Sequence, residues 1–403
     1  MSNAETYRGQ ITQLPPLEGG EAGSGRPLRF IIAGGGTGGH IFPAIAIANA
    51  IKKHHPTANI LFVGAKDRME MEKVPQAGYK IEGLDIAGFN RSSLIKNIGL
   101  PFQLVKSFLH VRRIINDFKP DAVIGVGGYS SFPVLRYAQS QGIKTYIHES
   151  NSFAGKTNIL LGKKATKIFV AATGMEKFFP ITKIMITGNP VRSSIAHSTV
   201  TREQAFRFFD LDPNKTTILA VGGSLGAKSI NEALVNHLDY FSLNNLQLIW
   251  QTGSASGEVY KEAAKAHLNI WVSDFITQME MAYAAADIVV SRAGAMAVTE
   301  LCVARKPVVF VPFPFAAEDH QTANAQHLVD NQAALMIKDS EAKEKLATSI
   351  VSLAENKDLR EKLATNIGKL AITNADEVIA REVAPPDPTA PPPPEGGSWQ
   401  AGG

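Results

Sequence analysis

With 403 residues, of which 44% are hydrophobic and 19% charged, the chain has room for two domains and the make-up of an ordinary globular protein. A net charge of +4 is too small to mark a nucleic-acid binder, and no basic-plus-aromatic RNA signature accompanies it. The single cysteine, Cys302, excludes an intrachain disulfide framework and a cysteine-rich metal site, and suits a reducing compartment.

Residues 1–26 are polar and rich in Gly and Pro and read as a tag or linker-like segment. No basic segment followed by an apolar one marks a signal peptide, so a cytosolic location, or a peripheral one at a membrane, is expected. Phe30 to Ile51 is apolar enough to suggest a membrane span, but its glycine cluster and Pro43 fit a strand–loop–helix unit better. Strands are expected at Leu28–Ala33, Asn59–Val63, Ala122–Val126, Thr145–His148, Lys167–Ala171 and Lys183–Thr187. Helices are expected at Phe42–Lys53, Arg68–Gln76, Pro101–Phe118 and up to Leu161. Alternation of this kind predicts a parallel sheet covered on both faces.

Gly188-Asn189-Pro190-Val191-Arg192 punctuates the chain, and the pattern then restarts. Strands follow at Thr216–Val221, Gln247–Gln251, Ile270–Val272, Ile288–Ser291 and Pro307–Val311. Helices are expected at Lys228–His237, Gln278–Ala285, Met296–Val303 and Gln321–Asn331, and Glu341 to Arg381 reads as two more. The expected organisation is therefore α/β: two Rossmann-like, doubly wound parallel-sheet domains, 27–190 and 191–360, facing each other across a cleft. A helix in 361–383 should return to the first domain, and 384–403 is a Pro/Gly-rich tail expected to be disordered.

The stretch Phe30 to Pro43 holds five glycines among six residues, Gly34 to Gly39, between a strand and a helix. Glycines there allow a tight turn and close backbone approach, and the helix start offers N–H groups to an anion. Gly34-x-Gly36-x-x-Gly39 also fits the dinucleotide fingerprint. That reading wants an acid at the tip of the second strand, and Asp67 lies too far along. His40 is either a helix-capping imidazole or a group that holds a reacting hydroxyl or phosphate oxygen. Gly222-Gly223-Ser224-Leu225-Gly226 repeats the loop in the second domain, as a tight turn or as a diphosphate cradle. Ser291 to Glu300 is a strand, a small-residue turn and a helix; Glu300 could grip ribose hydroxyls or merely complement the helix dipole. Glu318 to Ala325 crowds amide, hydroxyl and carboxylate groups at a helix start, suited to a sugar or to simple capping. Between Phe89 and Leu100, apolar residues with a basic rim could rest on an anionic membrane surface. No metal-ligand cluster, Ser-His-Asp arrangement or Walker lysine is apparent.

Taken in order, Gly35 to Pro43, Gly127-Gly128-Tyr129, His148-Glu149-Ser150-Asn151, Gly188 to Arg192, Gly222-Gly223-Ser224 and Asp319-His320-Gln321 closely resemble the MurG family of bacterial peptidoglycan glycosyltransferases. The resemblance spans Leu28 to Ala380. It implies the GT-B fold and transfer of N-acetylglucosamine from UDP-GlcNAc to the C4 hydroxyl of the muramoyl sugar of lipid I, with inversion, to give lipid II. His40 is the first implied catalytic residue and Glu149 the second. The implied UDP-GlcNAc contacts are Thr37, Gly38, Gly39, Asn151, Arg192, Ser224, Ile276, Ala295, Met296, Ala297, Val298, Thr299, Glu300, Gln321 and Asn324. Gly36, Gly39, Gly128, Tyr129 and Ser130 would receive the acceptor pyrophosphate. Phe89, Leu94, Ile95, Lys96 and Ile98 would touch the membrane. UDP-GlcNAc is a substrate, and no cofactor or tightly bound metal is implied. The implied partners are lipid I, an anionic surface on the cytoplasmic side of the cell membrane, and proteins of cell-wall synthesis, with no nucleic acid. Leu225, Ala293, Ala297 and Thr322 depart from the family's usual residues; backbone contacts survive such changes and side-chain contacts do not. The rivals are another GT-B glycolipid glycosyltransferase, a UDP-sugar epimerase, a dinucleotide oxidoreductase, and a UDP-sugar-binding module without turnover.

Overall fold

The structure, a computed structural model, describes residues 26–86, 100–254, 257–316 and 319–385. Its first sheet has seven strands: β1 (Arg29–Ala33), β2 (Asn59–Ala65), β3 (Lys80–Leu84), β4 (Ala122–Gly125), β5 (Lys144–Glu149), β6 (Lys167–Val170) and β7 (Ile184–Ile186). The second has six: β8 (Thr216–Val221), β9 (Leu246–Gln251), β10 (Ile270–Ser273), β11 (Ile288–Ser291), β12 (Val308–Phe310) and β13 (Leu335–Met336). The spatial orders are β3-β2-β1-β4-β5-β6-β7 and β10-β9-β8-β11-β12-β13. Both are therefore doubly wound sheets whose order reverses beside the first strand, between β1 and β4 and between β8 and β11. Ligands of such sheets bind outside the carboxyl ends of the strands at that reversal.

Burial explains the strands. Phe30, Ile31, Ile32 and Ala33 are all inaccessible, because β1 lies between β2 and β4 with helices on both faces. Phe30 and Ile32 pack with Ile41, Ile47 and Ile51 of the helix Gly38–His54, while Ile31 and Ala33 pack with Val134, Leu135 and Leu161. In the second domain, Leu219 faces Phe206, Phe209 and Ala282, and Ile218 and Ala220 face Ile230, Leu346 and Ile350.

Beyond Ala342 the structure has three helices rather than two: Ala342–Glu355, Lys357–Lys369 and Ala375–Val383. The third places Ile379, Ala380 and Val383 in the first domain's core, beside Ile47 and Ile51. Glu377 pairs with Lys53 at 2.7 Å and also with His54. The chain thus crosses between domains twice, and the crossings touch: at Gly188, whose φ is +77°, a Cβ would lie 2.9 Å from Ile372. Strand β3 escaped the pattern reading because it is an edge strand that carries Lys80, Glu82 and Gly83 in five residues. The helix Ser131–Ser140 was hidden by the preceding glycines and by Pro133, which is tolerated because it sits in the first turn.

Candidate active site at the interdomain cleft

The glycine loop after β1 is held on three sides. Gly34 N–H donates to the Val63 carbonyl at 3.1 Å, Gly35 N–H to the Gly127 carbonyl at 3.3 Å, and Gly36 N–H to Glu70 Oε2 at 2.9 Å. A Cβ on Gly128 would lie 2.5 Å from the Gly35 carbonyl oxygen, so the loops after β1 and β4 pack backbone to backbone. The N–H groups of Gly34, Gly35 and Gly36 are therefore spent inside the protein. Gly36 N–H is occupied by a carboxylate rather than offered to the expected pyrophosphate. The helix begins at Gly38, earlier than the expected Phe42, and its N-cap Thr37 makes no side-chain capping bond. Anion-binding capacity therefore sits at Thr37, Gly38 and Gly39. Ser130 is buried at the start of Ser131–Ser140, while Tyr129 carries its hydroxyl outward to accept a bond from Arg68 Nε at 3.1 Å.

His40 Nδ1 lies 3.0 Å from the Gly35 carbonyl oxygen. A carbonyl only accepts, so in the neutral ring Nδ1 carries the proton and Nε2 the lone pair. A Cβ on Gly127 would be 2.8 Å from that Nε2, so the absence of a side chain there gives the ring its seat. The histidine is oriented as a proton acceptor.

Glu149, at the end of β5, is buried and saturated. It accepts from Asn151 N–H (3.1 Å), Asn151 Nδ2 (3.2 Å), Gly155 N–H (3.0 Å) and Asn158 Nδ2 (2.8 Å). Next to it, His148 is fully buried, and burial pushes its pKa down to about 4, against smaller upward pulls from Gly188 and Asn189. Among the described residues its Nε2 has no hydrogen-bond partner. Because the folded pKa lies below the ordinary 6.5, the unfolded chain takes up the extra proton. Stability is thus complete above pH 6.5 and falls as the pH drops toward 4, by roughly 3 kcal/mol from this residue. Melting temperatures of the wild type and His148→Gln, measured from pH 7 to 4, should converge as the pH falls.

Across the cleft, the helix Ala295–Ala304 follows the turn after β11, and its N-cap Gly294 offers no side-chain cap. Its first turn, Ala295, Met296 and Ala297, meets the first domain directly: a Cβ on Gly39 would lie 3.9 Å from Met296 Cγ. Two uncapped helix starts therefore face each other, one from each sheet's reversal point. Arg192 donates from Nε to Glu300 Oε1 at 3.1 Å and from Nη2 to Oε2 at 3.2 Å, and its guanidinium sits 4.7 Å over the Phe42 ring. Tyr283 donates to Glu300 Oε2 at 3.2 Å. Burial pulls the Glu300 carboxyl upward, and Arg192 and Tyr283 pull it back.

Other expected donor contacts are placed with different tasks. Asn324 accepts from Ser152 Oγ at 3.1 Å and donates to the Ala293 carbonyl at 3.0 Å, so its amide already bridges the domains. Asn189 donates to the Ser150 carbonyl and to Thr299 Oγ1, a second bridge. Gln321 Oε1 accepts from Phe313 N–H at 3.0 Å. Ser224 lies in the loop after β8, whose Gly223 carbonyl accepts from Gln251 Nε2 at 3.1 Å. Gln251 Oε1 also takes the Ile276 N–H at 2.9 Å, and Ile276 is buried. Val298 N–H bonds back to the Gly294 carbonyl. Gln251 and Glu70 escaped sequence reading. The available signal for Glu70 was Gly64, a glycine inside β2, which marks a close approach: a Cβ there would lie 2.6 Å from Glu70 Cγ.

The proposed membrane contacts Phe89, Leu94, Ile95, Lys96 and Ile98 lie outside the described residues. Among the described residues no helix is long and apolar enough to cross a membrane, and no group of three or more His, Cys, Asp or Glu gathers as a metal site.

Residues 30–170 match the glycosyltransferase family 28 N-terminal domain and residues 217–381 the C-terminal domain of the same family. The chain is 55% identical over 359 residues, 88% of its length and 96% of the relative's, to the Phocaeicola vulgatus protein named UDP-N-acetylglucosamine–N-acetylmuramyl-(pentapeptide) pyrophosphoryl-undecaprenol N-acetylglucosamine transferase. The crystal structure of Acinetobacter baumannii MurG matches with a TM-score of 0.69 at 31% identity, covering 89% of this chain and 99% of that one. A UDP-GlcNAc 2-epimerase from Neisseria meningitidis shares the fold at a TM-score of 0.63 and 16% identity, covering 88% and 99%. The two family matches fall in order on the two sheets whose reversal points meet at Gly39 and Met296, and the chain belongs to glycosyltransferase family 28.

Proposed function

We propose that this protein transfers N-acetylglucosamine from UDP-GlcNAc to the C4 hydroxyl of the muramoyl sugar of lipid I, inverting the anomeric centre and producing lipid II. The name of the Phocaeicola vulgatus relative supports the choice of substrates. The observation that carries the chemistry is the meeting of two uncapped helix starts at Gly39 and Met296, with the His40 lone pair beside them.

In this mechanism His40 Nε2 takes the proton of the acceptor C4 hydroxyl as its oxygen bonds to C1 of the donor sugar. The bond from C1 to the β-phosphate oxygen breaks on the opposite face, and UDP leaves with the electron pair. The helix start at Ala295, the loop around Ser224 and the Arg192 guanidinium receive the developing charge. Glu300 takes the ribose hydroxyls, Ile276 the uracil, and Gln321 the sugar hydroxyls, with Thr37, Gly38, Gly39 and Tyr129 on the acceptor side. The four donors already on Glu149 favour His40 as base and make Glu149 the post that holds the Asn151 loop. Closure of the cleft aligns the two substrates and excludes water.

A peripheral place on the cytoplasmic face of an anionic membrane fits the lipid acceptor. Val105 and Leu109 support it: they are 62% and 63% exposed on the helix Leu100–Phe118, directly after the apolar segment with the basic rim.

Incubation with labelled UDP-GlcNAc and a lipid I analogue should give a disaccharide-lipid product and equimolar UDP. Conversion of UDP-GlcNAc to an epimer without acceptor, or donor binding with no turnover, would overturn this reading.

A further inference from the structure

The segment after β2 is unexplained by the donor and acceptor roles given so far, yet it touches the acceptor loop twice. Glu70 opens the helix Glu70–Gln76 and is 1% exposed. Its carboxylate accepts from Gly36 N–H at 2.9 Å and from Ala65 N–H at 3.0 Å. A Cβ on Gly35 would lie 2.3 Å from Glu70 Oε1 and one on Gly64 2.6 Å from Cγ, so two glycines are small to admit this acid rather than a ligand. In a nucleotide-binding sheet an acid near this position faces outward to a ribose. Here Asp67 occupies an exposed turn with φ +58°, and the buried acid points inward at the loop.

Two residues before Glu70, Arg68 is exposed and donates from Nε to the Tyr129 hydroxyl. Among the described residues this is the one hydrogen bond its side chain makes, and no carboxylate pairs with it. Its two terminal nitrogens are thus available beside the cradle. A pyrophosphate there brings about two negative charges, and the buried Glu70 behind the loop opposes them. Arg192 is already engaged, because its guanidinium pairs with Glu300 and stacks on the Phe42 ring.

We propose that Arg68 binds the pyrophosphate of the acceptor, and that Glu70 is a positioning residue that spends the Gly36 N–H so that the anion seats on Thr37, Gly38 and Gly39, within reach of Arg68. The inference rests on the acceptor assignment above and adds its cation. A guanidinium suits the task because it can hold Tyr129 with one nitrogen and a phosphate with the others.

Two measurements test it. In steady-state transfer, Arg68→Ala should raise the KM for a lipid I analogue by about ten- to a hundredfold, the equivalent of one charged hydrogen-bonding contact. The KM for UDP-GlcNAc and kcat at saturating acceptor should stay put, and Arg68→Lys should recover part of the loss. An unchanged acceptor KM, or an equal rise in donor KM, would overturn the proposal. Calorimetric binding of a short-chain prenyl pyrophosphate needs no turnover, so it judges Arg68 even if the transfer reaction itself is not observed. The wild type should bind it, Arg68→Ala should bind it less tightly, and the matching prenyl alcohol should not compete. Equal binding by both proteins, or none by the wild type, would refute the role. Glu70→Gln keeps an oxygen for one of the two backbone N–H groups and turns an amide N–H against the other. Loss of the loop's position should therefore weaken the same ligand despite removal of the opposing charge, with UDP binding intact; tighter binding of the prenyl pyrophosphate would overturn the positioning role.

Discussion

Replacing His40 by alanine is expected to lower kcat by roughly a hundred- to ten-thousandfold, the range for losing a positioned general base. UDP-GlcNAc binding, measured separately by titration, should change little. The expectation follows from the hydrogen bond at Nδ1. With the Gly35 carbonyl holding that nitrogen at 3.0 Å, the lone pair is committed to the other one. His40→Asn should not rescue turnover, because an amide cannot take the proton. Comparable turnover by His40→Ala would move the base elsewhere, and the four-fold occupied Glu149 would be a poor replacement.

The second large effect is expected at the Arg192–Glu300 pair. The side chains are 20% and 9% exposed, and removing one partner strands a buried charge, typically at a cost of about 3–5 kcal/mol. Arg192→Ala should therefore lower the melting temperature sharply as well as weakening UDP-GlcNAc binding. Arg192→Met combined with Glu300→Leu replaces both charges with apolar groups of similar size and should recover much of the stability while leaving the donor affinity lost. Thermal melts and UDP titrations on the two single variants and the double separate these effects. If the double variant bound UDP-GlcNAc like the wild type, neither residue would belong to the donor site.

The sheet architecture was legible because parallel strands buried on both faces are written as short apolar runs, as in Phe30-Ile-Ile-Ala33 and Ile288-Val-Val-Ser291. The glycine loops stood out for the same reason: few other residues can turn from such a strand into a helix so abruptly. What remained hidden depends on long-range polar contacts. Glu70 sits in a run with Met69, Met71, Glu72 and Lys73 and reads as one more solvated charge. Only folding reveals that it is inaccessible and faces Gly36, 34 positions away. Gln251 likewise ends an apolar strand and gives no hint that it ties Gly223 to Ile276. Motif order singled out Arg192 and Glu300 as expected donor contacts, but their mutual pairing belongs to the three-dimensional arrangement, and so does the interdomain bridging by Asn324.

The return of Ala375–Val383 to the first domain also bears on how the protein is made. A ribosome releases the first sheet long before it reaches residue 375, and domains generally begin to fold as they emerge. Until Ile379, Ala380 and Val383 arrive, the face of Gly38–His54 that they cover is left bare. The first domain is thus the first synthesised and the last completed. Truncation just before residue 375 should therefore injure the end of the molecule farthest from the cut in sequence.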